Sequence, residues 1–202
     1  VQENVRTAFD ALTHDIREAA FFGCAGQDPL KTDKFLNALN NNTRLLFDFQ
    51  YPVYGYEAIS TSAWNETPDS DIVSPLTGRD ILVVRTVAEG GGPVVEQDKT
   101  KLTLSVSENS GIVVGDLLLT NTCEDAAVFQ ATAVSTNAKL DVISAGLGAQ
   151  TPGNSVNHFL KFTPFKDGEL RRIVTRVYYI ADNAAGLPSL FVLPSNGAAQ
   201  EI

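Results

Sequence analysis

Three acidic residues in one segment could offer oxygen ligands to a metal ion. Glu66, Asp69 and Asp71 lie in the sequence NETPDSD, and hard cations such as Ca²⁺ prefer carboxylate oxygens. The segment lacks the glycine and the later glutamate that an EF-hand loop requires. We therefore expect no metal site here but a solvated acidic loop, and we keep calcium binding at these three residues as the alternative.

Two histidines and two cysteines are the other candidates for chemistry. His14 and His158 have no second histidine at metal-ligand spacing, so we expect ordinary surface or strand residues. Cys24 and Cys123 lie too far apart in sequence for a CxxC metal or redox motif. They are either two buried free thiols or one disulfide, and a disulfide would close a loop of about 100 residues and favour an oxidising compartment.

The absence of two catalytic motifs argues against an enzyme. The run from Gly90 to Gly92 lacks the Lys and the Ser or Thr of a phosphate-binding loop, so residues 88–98 are predicted to form a flexible loop between strands. No G-x-S-x-G nucleophile elbow occurs in the sequence. We expect a protein without catalytic activity and without a cofactor.

The composition narrows the class of protein. Of the 202 residues, 44% are hydrophobic and 19% are charged, which excludes general disorder. The net charge of −9 argues against nucleic acid or an anionic membrane surface as the main partner, since both favour Lys and Arg. The sequence contains neither a run of 18 apolar residues nor a signal peptide.

An amphipathic helix is predicted over residues 1–24. Its apolar side chains recur at helical spacing and form one stripe, which consists of Val5, Ala8, Phe9, Leu12, Ile16, Ala19 and Ala20. Gly23 is a suitable C-terminal stop, whereas the start lacks a capping residue, so we expect the second half of a longer helix. About 22 residues span about 33 Å. The half near Ile16 should pack on the sheet, while the N-terminal half projects toward another subunit.

Strand patterns dominate from residue 80 onward. Seven to nine strands are predicted, including residues 81–87, 101–107, 111–121, 127–134, 140–143, 158–165, 171–182 and 188–194. Residues 33–39 are predicted to form a short helical turn, and residues 64–78 a loop. The fold class is therefore α+β and pilin-like: one long N-terminal amphipathic helix packed on mostly antiparallel β-sheet. Residues 25–202 would form one β-rich domain, with two subsheets as a variant.

Five motifs in fixed order resemble a known family. They are AFDALTHDIREAAFFGC at residues 8–24, YGYEA at 54–58, RDILVVR at 79–85, VGDLLLTNTCEDAAVFQAT at 114–132 and RVYYIADNAAGLPSLF at 176–191. Together they are similar to the PilW family of type IV pilus minor pilins, which is related to the minor pseudopilin J of type II secretion. The family's motif cysteines fall on Cys24 and Cys123, so the resemblance implies a disulfide between them. Thr122 stands where the family usually has Asp before the second cysteine.

The resemblance implies the soluble domain of a structural minor pilin. Such a subunit helps to initiate type IV pilus assembly and lies in a minor-pilin complex at the pilus tip. Its expected partners are other minor pilins, the major pilin and a tip adhesin, without nucleic acid. The bacterial inner membrane, at its periplasmic face, would be contacted only through a hydrophobic helix segment absent here, and the assembled protein would be extracellular.

The subunit interface would then involve four residues of the helix stripe, namely Val5, Ala8, Phe9 and Leu12. Residues 64–78 and 145–155 are candidate surfaces for neighbouring pilins or an adhesin. Two alternatives stay open. One is a minor pseudopilin of a type II secretion tip complex, and the other is a secreted calcium- or carbohydrate-binding β module, which the loop acids and the tyrosines suggest.

Overall fold

The computed structural model describes residues 2–19, 35–148, 150–155 and 164–202. Within these ranges, one helix, α1 (Gln2–Glu18), precedes fourteen strands. The strands are β1 (Phe35–Asn37), β2 (Val53–Tyr56), β3 (Ala58–Ser60), β4 (Ala63–Trp64), β5 (Ile81–Pro93), β6 (Glu96–Asp98), β7 (Thr103–Ser107), β8 (Leu117–Asn121), β9 (Ala126–Gln130), β10 (Ala133–Asn137), β11 (Leu140–Ser144), β12 (Glu169–Asp182), β13 (Pro188–Pro194) and β14 (Gln200–Glu201).

Strand β12 is the centre of an eight-stranded sheet. Along one edge, its residues 169–178 pair antiparallel with β5, which in turn pairs with β2. Along the other edge, residues 169–172 pair with β8 and residues 176–182 pair with β13. Strands β9 and β1 extend the sheet beyond β8, and β14 extends it beyond β13. One strand thus joins both halves of the main sheet.

A second sheet of four strands, in the order β10-β11-β7-β6, covers part of the main sheet. Apolar residues of both sheets meet in one buried cluster. From the main sheet it contains Leu118, Phe129 and Leu170, and from the second sheet Leu104, Val106 and Ile143. Strands β3 and β4 form a separate two-stranded hairpin. The layered packing of two sheets explains how a chain with little helix buries a core.

Strands β8 and β9 are buried along their entire length. Leu118 faces the second sheet, whereas its neighbours Leu117 and Leu119 belong to a cluster on the opposite face with Leu39 and Phe49. A strand that is covered on both faces needs apolar residues at consecutive positions rather than alternating ones. This requirement accounts for the consecutive apolar residues 117–119 in β8 and 126–129 in β9.

The glycine run predicted to be a flexible loop is part of β5. The register between β5 and β12 shifts at Arg171 and Arg172, which pair with Gly91 and Ala88. Glycines at 90, 91 and 92 all have positive φ angles, which a glycine adopts without steric cost. The backbone therefore bulges and resumes pairing up to Pro93. The prediction of a loop over residues 88–98 is wrong, since β5 and β6 occupy most of it.

The predicted fold class is also wrong. Among the described residues, strands far outnumber the 17 residues of the one helix, which is about 25 Å long rather than the expected length of about 33 Å. The described part of the chain is mostly β-sheet with one short helix, not an α+β pilin fold built on a long N-terminal helix. The predicted stop at Gly23 lies outside the described residues.

The segment around residue 35 differs from its prediction as well. Instead of a helical turn, Phe35–Asn37 forms β1, which pairs parallel with β9. Asn37 donates from Nδ2 to the carbonyl of Phe47 at 2.7 Å and accepts the amide of Leu39 at 3.2 Å. The long-range pairing with β9 outweighs the local preference, because short segments take the structure that their neighbours can pair with.

Candidate functional site

A buried carboxylate holds α1 to the main sheet. Asp15 is 3% exposed. Its Oδ1 accepts a hydrogen bond from Arg176 Nη1 at 2.6 Å, and its Oδ2 accepts one from the Tyr178 hydroxyl at 2.5 Å. One turn later, the carbonyl of Glu18 accepts the hydroxyl of Thr86 on β5 at 3.4 Å. The C-terminal half of α1 is therefore fixed to β5 and β12.

We call the group of Asp15, Arg176 and Tyr178 the anchor. The spacing of residues along the strand and along the helix brings these side chains together. Arg176 and Tyr178 are two residues apart on β12, so their side chains leave the sheet on the same face. On α1, Ala8, Ala11 and Leu12 share the side of Asp15 because they lie seven, four and three residues before it. These three side chains are half-buried. Two alanines, one leucine and a single carboxylate thus form the side of the helix that faces the sheet.

Two large apolar residues of α1, Phe9 and Ile16, point away from the sheet. Phe9 is 65% exposed and Ile16 is 46% exposed. They are seven residues apart and so lie on one side of the helix, roughly 100° round from the side that carries Asp15. The prediction that Ile16 packs on the sheet is wrong, because the ion pair of Asp15 sets the rotation of the helix. An apolar strip of α1 is consequently open to solvent.

The predicted interface residues therefore divide into three groups. Phe9 lies on the open strip, and Ala8 and Leu12 are half-buried on the side of the anchor. The side chain of Val5 lies outside the described residues. The interface itself stays a prediction.

Deprotonation of the anchor tyrosine gives a first testable prediction. Burial, followed by the hydrogen bond to Asp15, raises the pKa of Tyr178 above its usual value near 10. Because the folded state holds this proton more tightly than the unfolded chain, the stabilisation is complete below about pH 10 and is lost as the pH rises beyond it. We expect the free energy of unfolding of Tyr178→Phe to fall less steeply than that of the wild type above about pH 10.

Denaturant unfolding at a series of pH values measures this difference. At neutral pH the variant should lose about 1 kcal/mol, the usual net contribution of one hydrogen bond. Other groups with shifted pKa values, such as Tyr56 and Arg85, are present in both proteins and cancel in the comparison. Parallel curves for the two proteins above pH 10 would contradict the prediction.

Of the two cysteines, only Cys123 lies among the described residues. Cys123 is disulfide-bonded and lies in the turn between β8 and β9, where a hairpin was expected. Cys24, the other cysteine of the sequence, lies outside the described residues, so the pairing stays a prediction. The hydroxyl of Thr122 accepts the amides of Glu124 and Asp125 at 3.3 and 3.1 Å. Thr122 thereby orders the turn that presents Cys123.

The three loop acids make contacts within the protein. Glu66 accepts the hydroxyl of Tyr54, and Asp71 pairs with Arg44. Asp69 accepts the amides of Asp71 at 2.9 Å and Leu45 at 3.4 Å. In the part of the chain that the structure describes, no group of three or more His, Cys, Asp or Glu side chains could hold a metal ion. The acids stabilise the turn of residues 64–78, and nothing in this geometry favours calcium.

The second predicted surface, residues 145–155, is tied to the main sheet by Asn154. This buried side chain accepts the amide of Gln130 at 2.7 Å and donates to the carbonyls of Gln130 and Gly146, both at 2.9 Å. Gln130 in turn accepts the amide of Gly153 at 2.8 Å. The described part of this segment is therefore a fixed surface. His158 lies outside the described residues, and His14 is exposed on α1, 4.0 Å from Glu18.

Sequence reasoning missed the residues that position these surfaces. Asp15 is one of several acidic residues of α1 and has no pattern of its own, and Asn154 lies in a segment that resembles an ordinary polar loop. A signal was present at Arg176, since a charged residue between Thr175 and Val177, inside a largely apolar strand, requires a partner for its charge. The sequence did not identify that partner.

Comparisons with known proteins returned no relative. The chain matches no family model, and neither the curated proteins nor the solved structures contain a significant match. Among the described residues, no helix combines the length and the apolar character that crossing a bilayer requires.

Proposed function

We propose that this protein is a structural, non-enzymatic subunit of a minor-pilin complex, which helps to initiate assembly of a type IV pilus and lies at its tip. The proposal is supported by the ordered motifs at residues 8–24, 54–58, 79–85, 114–132 and 176–191. It does not rest on a pilin-like fold, because the ratio of helix to strand is not that of a pilin.

The observation that carries the proposal is the open apolar strip on α1. Exposed single apolar side chains are ordinary, but Phe9 and Ile16 lie on the same side of a helix whose rotation is fixed by Asp15. A fixed helix with an apolar side fits packing against a helix of another subunit, which needs apolar residues at spacings of three, four and seven. The occupant we propose is the helix of a neighbouring minor pilin.

Charge at the strip should prevent this packing. We expect Phe9→Glu to weaken binding to partner minor pilins by at least about tenfold, because a carboxylate would be desolvated in the interface. Phe9 is 65% exposed, so the domain should keep its melting temperature. A pull-down and a titration against each partner measure the effect.

His14→Glu is the matched control, since it adds one negative charge at an exposed position of α1 that lies about 140° round the helix from Phe9. Binding that is unchanged in Phe9→Glu, or equally weakened in both variants, would contradict the proposal. Binding only to minor pseudopilins of a type II secretion system would assign the protein to that related machine instead.

A further inference from the structure

A pocket of about 300 Å³ opens between β2, β5 and the turn after β1. Its size is at the lower end for small-molecule sites. Three tyrosines, two aspartates and one arginine line it together with a threonine and a leucine, and these are Tyr51, Tyr54, Tyr56, Asp48, Asp69, Arg85, Thr43 and Leu45. No motif in the sequence links these residues, because three separate segments contribute them.

Three tyrosines form the aromatic wall. The rings of Tyr54 and Tyr56 meet edge to face with their centroids 5.5 Å apart, and Tyr51 follows at 6.3 Å from Tyr54. The Tyr54 hydroxyl is held by Glu66, and Tyr56 is 6% exposed. Tyr51 is 52% exposed and so offers ring surface to a ligand. The wall is fixed at its inner end and open at its outer end.

Arg85 forms the base of the pocket and is 2% exposed. Its Nη1 donates to the carbonyl of Tyr51 at 2.5 Å and its Nη2 to the carbonyl of Leu45 at 2.6 Å. Its Nε has no hydrogen-bond partner. Buried donors are nearly always paired, so Nε is a donor that lacks an acceptor in a residue that lines the pocket.

Two carboxylates provide the complementary acceptors. Asp48 accepts the amide of Gln50 at 3.1 Å, and Asp69 accepts backbone amides. Each carboxylate oxygen has two lone pairs, so both side chains can accept further hydrogen bonds. The pocket thus combines acceptors, a donor and an aromatic face within one small volume.

This combination selects a neutral ligand rich in hydroxyls. An anion would be repelled by Asp48 and Asp69. A cation would be repelled by the guanidinium of Arg85. A sugar ring carries hydroxyls that donate to carboxylates and accept from a guanidinium. Its C–H face is apolar and slightly positive, which matches the negative face of an aromatic ring. We propose that this pocket binds one ring of a neutral glycan, which stacks on Tyr51.

The test is a titration of the folded protein with D-glucose, D-galactose, D-mannose and N-acetyl-D-glucosamine, followed by NMR or calorimetry. We expect saturable binding of at least one sugar, with perturbed signals at Tyr51 and Asp48. Tyr51→Ala should weaken it at least tenfold without loss of stability, because the ring is half-exposed. Val53→Ala, which removes a neighbouring exposed side chain from the opposite face of β2, should leave it unchanged.

Three outcomes would overturn the proposal. They are no binding of any of the four sugars, equal binding by Tyr51→Ala and wild type, and binding of choline or inorganic phosphate in place of sugars. The proposal of a glycan site does not depend on the proposed role in pilus assembly. Phe9→Glu should therefore bind the sugar as the wild type does.

Discussion

Asp15→Ala should release α1 from the sheet and lower the free energy of unfolding by about 2–4 kcal/mol. Removing one member of a buried ion pair leaves the other without compensation, which costs about 3–5 kcal/mol when both are fully buried. The Arg176 side chain is 33% exposed, so water recovers part of that loss. The Tyr178 hydroxyl, which is buried, would also lose its acceptor.

Two measurements distinguish release of the helix from general destabilisation. Chemical denaturation gives the free energy of unfolding, and limited proteolysis under native conditions reports whether α1 is detached. Asp10→Ala is the control, because Asp10 is an exposed acidic residue of the same helix and should change stability by less than about 0.5 kcal/mol. If Asp15→Ala were as stable and as protease-resistant as Asp10→Ala, the anchor would have no energetic role.

The substitution Gly91→Ala should have an effect at least as large, about 3–5 kcal/mol. Gly91 has a φ of 103°, where a residue with a side chain is strained by about 1–3 kcal/mol. An added Cβ would also collide with the backbone of Leu170 on β12. Backbone atoms in the centre of a sheet cannot move aside, so we expect the bulge to lose its pairing with β12.

A substitution at the neighbouring Gly92 separates the cost of backbone strain from the cost of the collision with Leu170. Gly92 also has a positive φ, of 154°, but a Cβ added there meets nothing within 4 Å. Gly92→Ala should therefore carry the strain alone and lose about 1–3 kcal/mol. Circular dichroism and urea unfolding of the two variants measure the comparison. Equal stability of both variants would show that the contact with Leu170 does not matter.

The long apolar strands were predictable because their pattern is strong and local. The prediction for residues 188–194 coincides with β13, and the hairpin at Cys123 is formed by β8 and β9 as expected. The bulge in β5 was not predictable, since three glycines indicate a loop unless a partner strand holds them. That partner, β12, lies about 80 residues further along the chain.

The rotation of α1 shows a second limit of pattern reasoning. The apolar stripe of the helix predicted which side is buried, and it counted Phe9 and Ile16 as equivalent to Ala8 and Leu12. One buried carboxylate reverses that preference, because an ion pair must be satisfied whereas an apolar side chain can stay exposed. The pocket at Arg85 is still less accessible from sequence, as its wall combines residues from positions 43 to 85 that only the pairing of β2 with β5 brings together.

The position of β12 in the chain has a consequence for biosynthesis. Two of its three partners, β5 and β8, are made before it, and neither pairs with the other. Until residues 169–182 have been synthesised, both strands carry an unpaired edge, and such edges readily join those of other nascent chains. Folding of the main sheet is therefore delayed until synthesis is nearly complete. A chaperone that shields exposed strands should increase the yield of this protein more than that of a domain with mostly local contacts.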